Sequence, residues 1–309
     1  MNPFGPNSRS GLKPYVVAIP IALIVGLSFA ATDFLNRGNL SNLSAQIAPL
    51  AIATLGQLLV ALVGGIDLSV GSVISLTTCV VSASVGSTAG IALALLLGCI
   101  IGIANGLAVS VARMHPIIAT LSSMTFVQGL ALYWLPTAGG LAPPFLPAFV
   151  NSTVAGLPVS ILLLLGCLIV VAWLLVRTRF GLRLYAVGAH PRNASLNGVT
   201  DRLIIVAAYA ACGLLAAGAG IVLTGRIGSG DPIIGAQFAL ATITAVALGG
   251  VQFSGGVGSA VGAFCGVLTL GLMRNGMNLV GVDAFLQSAA TGVLLLIAIS
   301  FQRRKIIGF

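Results

Sequence analysis

Residues 158–176 read PVSILLLLGCLIVVAWLLV, and residues 177–202 follow as RTRFGLRLYAVGAHPRNASLNGVTDR. The first stretch carries no charge, and at about 1.5 Å per residue in a helix it is long enough to cross a hydrocarbon core of roughly 30 Å. The second begins on arginine and holds Arg177, Arg179, Arg183, Arg192 and Arg202. An apolar run stopped by a basic cluster is the pattern of a membrane helix whose end is held on the Lys/Arg-rich side.

The same pattern repeats in both directions. Apolar segments lie near 15–31, 47–63, 72–87, 89–111, 117–135, 158–176, 203–223, 239–253, 257–273 and 284–301. The third and eighth are short, which leaves each open to being broken or re-entrant. Across the chain 58% of residues are hydrophobic and 6% charged, against roughly 45–50% and 25% in a soluble domain. A mean hydropathy of +1.13 describes the whole chain, so no soluble domain is hidden in it. The expected fold is all-α and polytopic, with ten transmembrane helices over 15–301 and short tails at 1–14 and 302–309. The loop 177–202 is the one large feature outside the bilayer on its side.

Charge tests that count. With a cytoplasmic N-terminus, alternation places Arg9, Lys13, Arg113, the five arginines of 177–202, Arg303, Arg304 and Lys305 inside, eleven of the fourteen basic residues. Arg37, Arg226 and Arg274 fall outside, balanced in number by Asp33, Asp231 and Asp283. A Lys/Arg bias of this size orients a membrane protein, with both termini inside. The net charge of +9 is therefore topological; it suits anionic headgroups and gives no reason to expect nucleic acid. The start of the chain, with Arg9, Lys13, an apolar stretch and Phe29-Ala30-Ala31, has the outline of a signal peptide. An uncleaved first helix is the simpler expectation. The segment 136–157 lacks charge and is rich in proline and glycine, so it is expected to pack on the outer surface.

Enzymatic chemistry has little to build on. The two lysines, Lys13 and Lys305, do not follow glycine, which excludes a phosphate-binding G-x-x-x-x-G-K-[ST] loop. Glutamate is absent, and His115 and His190 have no ligating neighbours in sequence. Cys79, Cys99, Cys167, Cys212 and Cys265 all lie in apolar runs and read as small buried side chains. No cofactor or metal is expected on this chain, and an intramembrane hydrolase lacks its catalytic groups.

Asp67 is the one acid close to an apolar core. It interrupts two apolar runs in Gly64-Gly-Ile-Asp-Leu-Ser-Val-Gly-Ser72. Gly65 permits a tight turn there, and Asp67 and Ser69 can accept N–H groups at the start of the next helix. Contact with a solute is the alternative for Asp67. The uncharged polar residues Gln57, Asn105, Gln128 and Thr242 suit hydrogen bonds to hydroxyls in a pore, or between helices. Gln57, Asn105 and Thr242, with Gly65, Asp67 and Ser69, are the candidate path or gate. Residues 60–72, VALVGGIDLSVGS, are echoed at 246–259, VALGGVQFSGGVGS, which hints at duplicated halves.

The stretch GGIDLSVGSVISL (64–76) closely resembles a hallmark of the permease subunits of ribose/xylose/arabinose-class ABC sugar importers. NGLAVSVARMHPIIATLSSM (105–124), FGLRLYAVGAHPRNASLNGV (180–199) and ALGGVQFSGGVGSAVGAFCGVLTLGLMRNGMNLVGV (247–282) follow in the same order. The resemblance covers about residues 40 to 300. It implies an all-helical permease paired with a second permease copy, the same or different. Cytoplasmic ATPase subunits would carry the ATP and magnesium, and a periplasmic binding protein would deliver the solute. It also implies that Gly181, Leu182, Arg183, Tyr185, Ala186, Gly188 and Pro191 form the ATPase-coupling element, with residues 181–198 as a short helix turned at each end. The solute would be a ribose-like sugar; a nucleoside, a polyol or a furanosyl signalling molecule is the alternative. A stand-alone carrier or channel would need ionisable path residues that the chain barely supplies. The chain departs from the family at Arg192-Asn193, where a glutamate is usual, at Phe238–Thr242, where acids are usual, and at His115.

Overall fold

The computed structural model describes residues 13–83 and 88–300. Among them ten helices occupy the ten apolar segments. They are α1 (Pro14–Ala30), α2 (Arg37–Leu62), α3 (Val70–Ala83), α4 (Ala89–Ser110), α5 (Pro116–Trp134), α7 (Val159–Arg177), α10 (Asp201–Ile227), α11 (Ala236–Leu248), α12 (Ala260–Leu279) and α13 (Ala284–Ser300). Three short helices connect them: α6 (Phe145–Val150), α8 (Arg179–Ala189) and α9 (Pro191–Leu196). A two-residue hairpin, β1 (Thr153–Val154) with β2 (Leu157–Pro158), is the only sheet among the described residues. Residues 1–12 and 301–309, which hold most of both expected tails, lie outside the described residues.

Helix ends follow polar chemistry that hydropathy misses. α2 starts ten residues before its apolar run because the Asn36 side chain caps it, accepting from Gly38 N at 3.1 Å. Its polar first turns are tied to α12 by reciprocal amide bonds between Asn39 and Asn275 at 3.1 and 2.8 Å. The same pair carries α12 past Arg274 to Leu279, beyond the apolar stretch 257–273. Ser259 fixes the start of α12 by accepting from Gly262 N.

The long helix α10 is the central post and packs most extensively on α4, then on α2 and α3. At its crossing with α4, a Cβ on Gly98 would press on the Gly213 carbonyl, and one on Gly213 on that of Gly98. Close backbone approach of this kind is how membrane helices gain packing energy without a hydrophobic drive between them. The outward faces are apolar, as with Ile100 and Leu107 on α4 and Trp173 and Val176 on α7, and they suit lipid contact. The segment 136–157 is anchored at points between 139 and 150, where Gly139 pairs with Gly230, Leu141 N donates to Ser82 O, and Leu146 and Val150 meet Gly225, while residues 153–157 are exposed.

Six helices have the length and apolarity of full crossings, while α1, α3, α11 and α13 are shorter. The short third and eighth segments are half-membrane helices. α3 has 14 residues and α11 has 13, about 20 Å each against a core of roughly 30 Å. Non-helical chain completes each crossing. Residues 230–235 run beside α3 from Ser82 to Gly71: Asp231 N donates to Thr78 Oγ1 at 3.1 Å and Gly235 N to Ser75 Oγ at 2.9 Å. The two helices therefore begin side by side at Gly71 and Gly235, where a Cβ on either would strike the other's carbonyl. From that point they run to opposite faces.

Candidate functional site

The sequence-selected polar residues converge on the break that precedes α3. Asp67 is 1% exposed, and its Oδ1 accepts from Ser69 N at 2.9 Å and from Ser69 Oγ at 2.6 Å. Ser69 Oγ accepts in turn from Asn105 Nδ2 of α4 at 2.9 Å. With its amide nitrogen turned toward the carbonyl, Gln57 brackets the Asp67 backbone, donating to the O at 3.0 Å and accepting from the N at 3.2 Å. Gly65 lies directly under the Tyr209 hydroxyl, leaving no space for a side chain. Gln57, Gly65, Asp67, Ser69 and Asn105 thus form one buried network. Thr242 stands apart on α11, buried and bonded to Ala239 O at 3.0 Å. Gln128 reaches Pro232 O in the extended segment before α11.

The network also answers an electrostatic problem. Two helices that start together place two positive dipole ends inside the bilayer, and an acid just before one of them opposes that charge. Asp67 occupies that position, as a packed structural group away from any open surface. Its hydrogen bonds also organise the turn that lets the chain re-enter the membrane.

The face that carries α8 and α9 holds a second junction. The expected single helix over 181–198 is two helices, because Pro191 supplies no N–H and starts a new helix after His190. Gly188 is buried, and a Cβ there would strike the Leu62 carbonyl at the end of α2 and come within 2.6 Å of Gly256 N. Gly256 N donates to Leu62 O at 2.9 Å, and the Tyr185 hydroxyl donates to Gly258 O at 2.7 Å. So Gly188 and Tyr185 face inward, joining α8 to the last residue of α2 and to the loop after α11. Both belong to the expected ATPase-coupling element, and both are turned toward the helix bundle. Gly181 is likewise buried against α7, and Ala186 is half-buried. Leu182, Arg183 and Pro191 are exposed, together with Arg192 and Leu196. The echoed stretches meet here too, since both helix ends, Leu62 and Leu248, turn on this face.

The opposite face has a cavity that the sequence reading passed over. Arg226 and Arg274 line it with Gln46, Gln237, Asn278 and Gln287. Counted in sequence these arginines are balanced by acids, yet in space the acids serve turns. Asp231 Oδ1 accepts from Ile233 N and Asp283 Oδ1 from Phe285 N. The available signal was Arg274 inside an otherwise apolar helix.

A ten-helix membrane bundle with two half-membrane helices and a docked surface helix is the architecture of a multi-pass permease. The chain belongs to the family described as branched-chain amino acid transport system / permease component, whose model matches residues 39–299. It is 37% identical over 290 residues to the ribose import permease protein of Bacillus subtilis (strain 168), covering 92% of this chain and 90% of that one. It is 35% identical over 298 residues to the ribose import permease protein of Escherichia coli (strain K12), 92% of each chain. The autoinducer 2 import system permease protein of Photorhabdus laumondii is 33% identical over 307 residues, 95% of this chain and 91% of that one. No solved structure matches the chain.

Proposed function

We propose that this chain is the membrane subunit of an ATP-driven importer that carries a ribose-like monosaccharide across the bacterial inner membrane. The observation that carries this reading is the near full-length likeness to two ribose import permease proteins. The geometry supports it. Two half-membrane helices meeting within the bilayer give a break about which the two halves of a path can move, and α8 is bonded to the loop after α11 and packed on the last residue of α2. The face with α8 and α9 is the cytoplasmic one. ATPase subunits press there on Leu182, Arg183 and Pro191, and they supply the ATP and magnesium. A second permease copy completes the path, and a binding protein docks on the opposite face. A furanosyl signalling molecule is the second reading, favoured by the likeness to the autoinducer 2 permease.

Reporter fusions test the orientation: a fusion at Ser195 is expected to read cytoplasmic and one at Asn151 periplasmic. Both on one side would remove α7 as a crossing. Energy coupling is tested in proteoliposomes. The chain with its ATPase and binding protein is expected to take up labelled ribose only with ATP, and the purified chain alone to hydrolyse none. Ribose uptake by the chain without any ATPase would make it a carrier. Competition by autoinducer 2 that exceeds competition by ribose would favour the second reading.

A further inference from the structure

The cavity on the face opposite α8 and α9 has a volume of about 310 Å³, the lower end of the range for small-ligand pockets. It lies between α2, α10, α12 and α13 and reaches Ile234, Gln237 and Phe238 at the start of α11. It therefore leads from the surface to the place where the two half-membrane helices meet. Arg226 and Arg274 both line it, and no carboxylate does. Among the described residues, Arg274 makes a hydrogen bond of 3.5 Å to Thr291 Oγ1, at the limit of such a bond. Both guanidiniums are partly buried, and cations in membrane spans almost always face a partner or a water-filled cavity.

A structural role accounts for one of the two. Arg226 is in the last turn of α10, where a cation offsets the negative end of the helix dipole. Arg274 is five residues before the end of α12; the dipole effect fades within the last turn, so it does not account for Arg274. A guanidinium offers five N–H donors in a planar fork and no acceptor. Two forks among four amide side chains make a wall that donates to oxygen and repels cations. An α-amino acid would leave its ammonium facing two like charges, whereas a sugar presents adjacent hydroxyl oxygens that a fork can hold in pairs.

We propose that this cavity is the solute-reception site of the permease, that it takes a polyhydroxylated solute without a positive charge, and that Arg226 and Arg274 determine its specificity. The proposal rests on the importer reading above. The binding protein would release the solute into the cavity, where the arginines retain it until the break at Gly71 and Gly235 opens.

The test uses the complete complex in proteoliposomes, with ribose moved per ATP hydrolysed as the readout. Arg226→Gln and Arg274→Gln are each expected to lower that ratio by about tenfold, the loss from a charge-assisted hydrogen bond. Stimulation of ATP hydrolysis by the loaded binding protein and the membrane level of the complex should stay near wild type, and Arg274→Lys should recover part of the ratio. An unchanged ratio in both glutamine variants overturns the proposal. A second measurement is independent of the solute. In Ser288→Cys, a cavity-lining position, an anionic impermeant thiol reagent should react about tenfold faster than a cationic one, by local electrostatic attraction. The preference should vanish when both arginines are glutamine. Equal rates for the two reagents with both arginines present would overturn the site. A preference for the anionic reagent together with no ribose uptake by the wild type would keep the site and reject ribose as its solute.

Discussion

Replacing Gly188 with leucine is expected to abolish uptake and, at the same time, to reduce the amount of folded protein in the membrane. The first added carbon would strike the Leu62 carbonyl and approach Gly256 N. Both are backbone atoms, and they are bonded to each other at 2.9 Å, so neither can turn aside as a side chain could. Overpacking a tight junction costs about 1–3 kcal/mol or more, a large part of a typical folding stability. The failure would be mechanical as well as thermodynamic. On the proposed importer reading, α8 would carry displacement at the surface to the end of α2, and separating it by the width of a leucine would break that route. Leu182→Ser and Arg183→Glu should behave differently. Both positions are exposed on α8, so abundance and melting temperature should hold, while uptake and stimulated ATP hydrolysis fall together. Normal melting of the Gly188 variant would return that residue to the docking surface, and normal uptake in both surface variants would move the docking surface elsewhere.

Hydropathy and charge made the ten helices legible, because burying backbone polar groups in lipid forces the chain into helices of limited length. The two short segments were legible as short. Their non-helical partners were not, since residues 64–69 and 228–235 carry no periodic signal and are fixed by contacts with distant helices. The bonds of Thr78 and Ser75 to residues 231 and 235 span more than 150 positions. Helix ends set by the pair of Asn39 and Asn275 were hidden for the same reason. At the site, the GGIDLS stretch was legible as a break between two apolar runs, because glycine, acid and hydroxyl at that spacing suit a turn that caps the start of a helix. Gln57 and Asn105 join them only through tertiary packing. The direction in which Gly188 and Tyr185 face depended on the loop after α11, about 70 residues away. The role of Arg226 and Arg274 is not legible in the sequence, because a count of charges cannot tell a paired arginine from one that faces a cavity.

Asp67→Ala is expected to destabilise the chain more than any other substitution of a polar residue in the spans. The carboxylate accepts both the N–H and the hydroxyl of Ser69, and through that hydroxyl it orders the Asn105 amide of α4. Removing it leaves buried donors without acceptors, at about 1–3 kcal/mol for each such group. It also withdraws the one acidic side chain placed just before the paired helix starts at Gly71 and Gly235. Asp67→Asn keeps the size and an acceptor oxygen and should fall between alanine and wild type. The measurement is a thermal melt of the detergent-purified chain followed with a thiol-reactive dye. With Cys79, Cys99, Cys167 and Cys265 replaced by alanine, Cys212 serves as the reporter, since it is fully buried beside Asp67 and becomes reactive only when the packing around the break opens. The alanine variant should melt lowest, and Asn105→Leu should follow it, because that change removes the donor to Ser69 but leaves the turn itself closed. Uptake should decline in the same order as stability. The opposite pattern, with all three variants melting as wild type while Asp67→Asn alone loses uptake, would make the carboxylate a contact for the solute instead of the clasp that holds two half-helices together.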